Sequence, residues 1–184
     1  MYRSHGAMKS RMKRSNMIIL FTVLLFLLMK SGHWRNWRSY YPTVLLMMIV
    51  DVAFNFLTYN HPFWHYKSAI IPSHTIMDLF HAVVSFPCIV MLFLGYMPNG
   101  LFKRAVYIVF VSAIYAAIEY AVHVAGKFEY FNGWNTLHSF LFDIGLFSIL
   151  MIHYKKPVIA WLCIMIIVPL FLLIVQFPLE KLMG

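Results

Sequence analysis

The side chains in this sequence with the most evident chemistry are histidines and carboxylates that recur at helical spacing inside apolar segments. His74 and Asp78 are four residues apart, and His81 follows on the same face of a helix. Glu119 and His123 repeat the four-residue spacing. Such pairs let one helix offer two ligands to one ion, and mixed imidazole and carboxylate ligands suit zinc or another divalent transition metal. Because a diagnostic motif such as H-E-x-x-H is missing, the prediction of a metal site rests on ligand chemistry alone.

Ionisable groups from four apolar segments lie at a similar depth. At about 1.5 Å per helical residue, Asp51, His81, Glu119 and Asp143 lie about 9 to 12 Å inside their segments. The chain has six acidic residues, and four of them, Asp78 included, belong to this layer. An ionised carboxylate facing lipid costs at least about 2.5 kcal/mol, so we expect these groups to face one another. No lysine or arginine lies at this depth, so protons, histidines or a bound cation must balance their charge.

The predicted metal ligands are the members of this layer and their helical neighbours: His74, Asp78, His81, Glu119, His123 and Asp143. Asp51, Asn55 and His138 would hold those ligands in place. If the site is catalytic, Glu119 or Asp78 is the candidate general base. The alternative for the whole layer is a buried polar network that only fixes how the helices pack.

Three functions are compatible with these residues. The first is an outward-facing His/Asp/Glu cleft that binds a cation or a small polar ligand. The second is an intramembrane metal-dependent lipid hydrolase, in which a zinc-like metal activates water beside a hydrophobic groove of lipid dimensions. The third is a membrane scaffold or partner subunit without a ligand. The sequence leaves open whether the protein is an enzyme, which ligand it binds and how many copies assemble.

The elements that must position these residues are membrane helices. The chain is 62% hydrophobic and 11% charged, a composition typical of an integral membrane protein whose main partner is the lipid bilayer. The sequence predicts an all-α bundle of six transmembrane helices that forms one membrane domain over residues 17–184, after a basic tail at 1–16. The predicted spans are residues 17–30, 43–59, 74–96, 102–125, 136–153 and 157–177. The first is short enough to lie partly in the interface, which would leave five full spans.

The charges of the connections predict the orientation. Loops 1, 3 and 5 carry seven lysines and arginines, whereas loops 2 and 4 carry one each, so the odd loops are predicted to be cytoplasmic and loops 2 and 4 outside. The basic tail opposes this orientation unless the first segment does not cross or translation starts at Met17. Nucleic acid is not an expected partner, because no basic face is large enough. The aromatic belt predicts interfacial anchors at His61, Trp64, His65 and Trp134.

Several segments resemble a known but uncharacterised protein family. "RNWRSYYPTVLL", "LTYNHPFWHYK", "PSHTIMDL", "GKFEYFNGWN" and "HYKKPVIAW" resemble small multi-span membrane proteins of Bacillus and related Firmicutes, and the likeness extends from about residue 17 to the end. The resemblance implies a bacterial plasma-membrane protein and supplies no activity. The basic tail of residues 1–16 departs from the family pattern.

Overall fold

Six helices build the described part of the protein, a computed structural model that describes residues 21–67, 76, 79–178 and 180. The helices are α1 (Phe21–Ser31), α2 (Trp37–Leu57), α3 (Phe86–Gly95), α4 (Leu101–Val124), α5 (Thr136–Lys155) and α6 (Pro157–Ile174). Helices α2, α4, α5 and α6 are long and apolar enough to cross a membrane, and α1 and α3 belong to shorter apolar helical segments. The predicted all-α membrane bundle is confirmed.

Helix α2 begins at Trp37, six residues before the predicted start at residue 43. Pro42 lies inside α2, and proline removes a backbone N–H and crowds the preceding turn. It lies near the beginning of α2, where only one helical hydrogen bond is lost. A 3₁₀ turn at His33–Asn36 leads into the helix.

A short antiparallel ribbon joins the two connections at one end of the bundle. Strand β1 (Trp64–Tyr66) pairs with β2 (Phe128–Tyr130), and His65 lies opposite Glu129. Lys67 forms an ion pair with Glu129 beside the ribbon. The sequence predicted loops here, and the paired strands correct that prediction. We call this end of the bundle the ribbon end and the other end the basic end.

Helix α1 packs alongside the third segment of the bundle and runs in the same direction. At the ribbon end, the Phe21 ring meets the edge of Phe80, with centroids 4.7 Å apart. At the basic end, the His33 ring meets Tyr96 at 4.6 Å, and it lies so close to Gly95 that a Cβ there would overlap the imidazole. The two contacts hold Phe21, at the start of α1, and His33, just after its end, against the same neighbouring segment.

A π-helical turn at His81–Ser85 precedes α3. Its wider hydrogen bonding is seen where the Phe86 N–H donates to the carbonyl of His81, five residues back. Pro87 follows at the start of α3, where it can donate no bond to the preceding turn. The helical segment is therefore irregular just before Pro87, in the form of a widened turn, a feature that often accompanies functional sites.

Two apolar clusters leave a polar layer between them. The larger cluster lies toward the basic end and joins α2, α3, α4 and α5 through residues that include Leu46, Val90, Phe93, Phe147 and Leu150. The smaller, aromatic cluster lies at the ribbon end around Phe63, Trp134, Leu172 and Phe177. The cavity lined by Asp51, His81, Glu119 and Asp143 has Met47 of the larger cluster and Trp134 of the smaller cluster in its walls.

Candidate functional site

One cavity gathers most of the predicted layer. It has a volume of about 80 Å³, room for a few water molecules or one small solute. Asp51 and Asn55 reach it from α2, His81 from the π-helical turn, Glu119 from α4 and Asp143 from α5. None of the described residues that line it is a lysine or an arginine. We call it the carboxylate cavity.

Asp143 is the most deeply buried acid of the carboxylate cavity, with 5% of its surface exposed. Within the described part of the chain, no group forms a hydrogen bond with its Oδ2 atom. Its position is fixed by the start of α5, where the Asn135 side chain accepts hydrogen bonds from the N–H groups of Leu137 and His138 at 2.9 and 3.2 Å. A buried acceptor without a donor is costly, so Asp143 is the residue that most needs a ligand.

Glu119 is held by a hydroxyl from the ribbon. The Tyr130 hydroxyl donates to Glu119 Oε1 at 2.7 Å and lies 3.0 Å from Thr136 Oγ1. Because the single phenolic proton is used on Glu119, the Thr136 hydroxyl must donate to Tyr130. Burial raises the pKa of Tyr130 to about 12, and the hydrogen bond to Glu119 adds to the rise. Tyr130 therefore stays protonated at neutral pH and acts as a donor.

One ring nitrogen of His81 lies against Ser85, and the other has no hydrogen-bond partner among the described residues. Its Nδ1 lies 3.0 Å from Ser85 Oγ, one helical turn away, and Tyr66 stacks on the imidazole with centroids 4.6 Å apart. The Nε2 atom is buried and has no hydrogen-bond partner among the described residues. Like Asp143, His81 thus carries unused hydrogen-bonding capacity in the same cavity.

The ribbon side of the cavity is lined by aromatic rings. Trp64, Tyr66 and Trp134 form this wall. Trp64 stacks on Phe54 with centroids 5.4 Å apart. Trp134 is buried, and its Nε1–H donates to Ser139 Oγ at 2.8 Å. Two of the four predicted anchors, Trp64 and Trp134, therefore line the candidate site.

The other two predicted anchors lie away from the cavity. The His61 ring meets Phe177 edge-on at 5.4 Å, and the His65 ring lies 5.2 Å from Phe131. Both histidines therefore lie against aromatic rings at the ribbon end.

Two predicted site histidines are directed elsewhere. His123 Nδ1 lies 2.9 Å from the carbonyl of Phe128, to which it donates, and its ring packs against Tyr130 at 4.7 Å. His138 stacks on Trp134 at 5.3 Å and lines an apolar groove on the other side of that ring. The helical wheel placed both near the layer, but neither lines the carboxylate cavity.

Four of the six predicted metal ligands, His81, Glu119, His123 and Asp143, are among the described residues. His74 and Asp78 lie outside the described residues. Among the residues that are described, no three His, Cys, Asp or Glu side chains come close enough to hold one metal ion. His81, Glu119 and Asp143 share a cavity without forming such a group, so no metal chemistry is derived from them. Zinc as a cofactor stays a prediction.

Sequence reasoning missed the residues that the ribbon contributes. Tyr66 lines the cavity, and Tyr130 donates a hydrogen bond to Glu119. The signal was present in the aromatic runs "FWHY" and "FEYF", each close to turn-forming residues, a pattern typical of short strands. The interpretation of Trp64 and His65, in the first run, as membrane anchors concealed its pairing with the second run.

Two apolar grooves flank the carboxylate cavity. The first, of about 350 Å³, lies among α1, α3 and α4, and we call it the α4 groove. The second, of about 290 Å³, lies among α2, α5 and α6, and we call it the α6 groove. Each shares wall residues with the cavity. The polar site is therefore bordered on two sides by surfaces suited to hydrocarbon.

Comparisons with protein-family models, with curated proteins and with solved structures find no match for this chain. Conclusions about its function therefore depend on the residues and geometry described above.

Proposed function

We propose that this integral membrane protein binds a small cation in the carboxylate cavity. The observation that carries the proposal is Asp143, a carboxylate 5% exposed whose Oδ2 has no partner among the described residues and which lines a cavity with two further acids. The two further acids are Asp51 and Glu119, which come from two other helices. A bound ammonium-type cation would supply the missing donor and offset part of the negative charge of the carboxylates.

An ammonium-type cation suits this lining best. Its N–H groups can donate to the unpaired Asp143 oxygen and to Glu119, and His81 Nε2 can accept when it carries no proton. The aromatic wall adds the faces of Trp64 and Trp134, which attract cations. A bare metal ion would instead require several ligand atoms at short range, which the described residues do not bring together.

The lipid hydrolase remains the second candidate, because the two apolar grooves match the hydrophobic groove that such an enzyme requires. It also requires a metal, which elemental analysis of the purified protein would detect. The hydrolase predicts stoichiometric metal in the wild type and its loss in a His81→Ala, Glu119→Ala double variant. The ammonium site predicts no stoichiometric metal in either protein.

We further propose that the protein resides in a bacterial plasma membrane with the ribbon end outside. The supporting feature is the clustering of basic residues at the other end of the bundle: Lys30, Arg35, Arg38, Lys103, Arg104, Lys155 and Lys156. Cysteines introduced at Ala125 and Asn99, in a chain without Cys88 and Cys163, would test this. An impermeant maleimide applied to intact cells should label position 125 and spare position 99, and the reverse pattern would contradict the orientation.

The binding proposal can be tested with methylammonium chloride as the probe. Trp64 and Trp134 line the cavity, so saturable binding should change tryptophan fluorescence of protein in phosphatidylcholine nanodiscs. Asp143→Asn should abolish the change. Ser112→Ala is the matched control, since Ser112 is also a buried polar residue with no partner for its hydroxyl among the described residues, yet it does not line the cavity. Equal responses in both variants would contradict the proposal.

A further inference from the structure

The α4 groove differs from an ordinary lipid-facing furrow because it shares polar residues with the carboxylate cavity. Four residues line both spaces: Tyr66, His81, Tyr115 and Glu119. A molecule in the groove can therefore place one end against the carboxylates without leaving the apolar surface. The groove and the cavity together form one site with a polar end and an apolar end.

The remainder of the α4 groove is suited to a hydrocarbon chain. Its walls come from α1 at Leu24 and Leu27, from α3 at Ile89, and from α4 at Ile114 and Ile118. Along α4 it extends from Glu119 to Tyr107, twelve residues or about 18 Å. This length exceeds the roughly 15 Å of one leaflet of hydrocarbon. At its far end the Tyr107 hydroxyl donates to the carbonyl of Phe93 at 3.1 Å, so this hydroxyl is already used inside the protein.

The α6 groove lacks the polar connection. The residues that it shares with the cavity are apolar or aromatic: Met47, Trp134, Phe142 and Leu146. No described wall residue of the α6 groove is a carboxylate. The two grooves have similar volumes, but only the α4 groove has a carboxylate, Glu119, among its described wall residues. The α6 groove therefore serves as the internal control for the α4 groove.

We propose that the cation is the headgroup of a membrane amphiphile, an alkylammonium with one hydrocarbon chain. The ammonium group occupies the carboxylate cavity and the chain lies in the α4 groove. Charge complementarity selects this occupant, because the described lining has carboxylates at one end, an unpartnered Asp143 oxygen among them, and no lysine or arginine. The inference rests on the proposed cation site and adds the class of molecule that carries the cation.

The chain contributes mainly by holding the headgroup at the site. Lipid tails are as apolar as the groove, so burial of the chain adds little driving force inside a bilayer. Attachment of the ammonium group to a chain in the adjacent groove raises its effective concentration at the carboxylates. Obstruction of the groove should therefore weaken binding of the amphiphile and leave binding of a short amine unchanged.

Calorimetric titrations in phosphatidylcholine nanodiscs with two probes, methylammonium and dodecylammonium, test the inference. Heats from empty nanodiscs are subtracted to remove partitioning. Ile114→Trp fills the α4 groove, and Ile167→Trp is its matched control in the α6 groove, since the two isoleucines are 45% and 44% exposed. If Ile114→Trp fails to fold by circular dichroism and gel filtration, Ile118→Trp takes its place.

The expected result is one saturable dodecylammonium site per chain, from which methylammonium displaces dodecylammonium. Dodecylammonium affinity should fall by about tenfold or more in Ile114→Trp and stay unchanged in Ile167→Trp, with methylammonium affinity unchanged in both. If methylammonium binds but dodecylammonium affinity is unaffected by Ile114→Trp, or equally weakened by both variants, the amphiphile inference fails and the cation site stands. If neither probe binds the wild type, both fail.

Discussion

Replacement of Asp143 by asparagine should stabilise the protein while it removes the binding site. The wild-type side chain is 5% exposed, and its Oδ2 has no hydrogen-bond partner in the described part of the chain. An unsatisfied buried acceptor costs about 1–3 kcal/mol, and an aspartate at the centre of a membrane helix costs about 2.5–3.5 kcal/mol on insertion scales. An amide removes the charge and can donate toward Glu119, which lines the same cavity.

We therefore expect Asp143→Asn to raise the free energy of unfolding by about 1–2 kcal/mol, close to tenfold in the ratio of folded to unfolded protein. Reversible unfolding in sodium dodecyl sulfate, without added ligand, measures this difference. Methylammonium should stabilise the wild type and leave the variant unaffected, since only the wild type binds it. Stability gained at the expense of function is typical of functional sites.

Ser112→Ala is the control that separates the gain in stability from the loss of methylammonium binding. Ser112 is fully buried with no partner for its hydroxyl among the described residues, so its removal should also stabilise, by up to about 1 kcal/mol. Because Ser112 does not line the cavity, methylammonium should still stabilise this variant. An Asp143→Asn protein that unfolds more easily than the wild type and still responds to methylammonium would refute the reasoning.

Two further substitutions, the first with a matched control, test the packing of α1 at the basic end and the hydrogen bond to Glu119 by the same unfolding assay. Gly95→Ala forces a Cβ onto the His33 ring and should destabilise the protein by about 1–3 kcal/mol. The control is Gly145→Ala, a helical position where an added Cβ would have no other atom within 4 Å, and it should be neutral or stabilising. Equal effects of the two substitutions would contradict the α1 packing. Tyr130→Phe removes the donor to Glu119 and should cost about 1–2 kcal/mol, and an unchanged free energy of unfolding would show that this hydrogen bond contributes nothing.

The sequence predicted the layer of ionisable groups because depth in a membrane helix follows directly from residue count. Asp51, His81, Glu119 and Asp143 lie at one level, and in the structure they line one cavity. Because a lipid-facing carboxylate is costly, the acids of this layer were expected to face the interior of the bundle. The prediction that these four groups lie together therefore depended on one physical rule, the cost of exposing a carboxylate to lipid.

The residues that surround the layer could not be predicted in the same way. A helical wheel gives the direction of a side chain relative to its own helix, but not which neighbour lies in that direction. His123 was therefore predicted as a ligand beside His81, and His138 as a residue that supports the ligands, yet His123 is directed at a ribbon carbonyl and His138 at an apolar groove. Tyr130 reaches Glu119 only because two distant loops pair as strands.

Binding of labelled methylammonium, measured by equilibrium dialysis, tests the central claim most directly. The comparison is between the wild type and a variant whose three cavity carboxylates are neutralised, Asp51→Asn, Glu119→Gln and Asp143→Asn. We predict one saturable site per wild-type chain and none in the variant. Equal binding by the two proteins, or no binding by either, would contradict the claim that these carboxylates form a cation site.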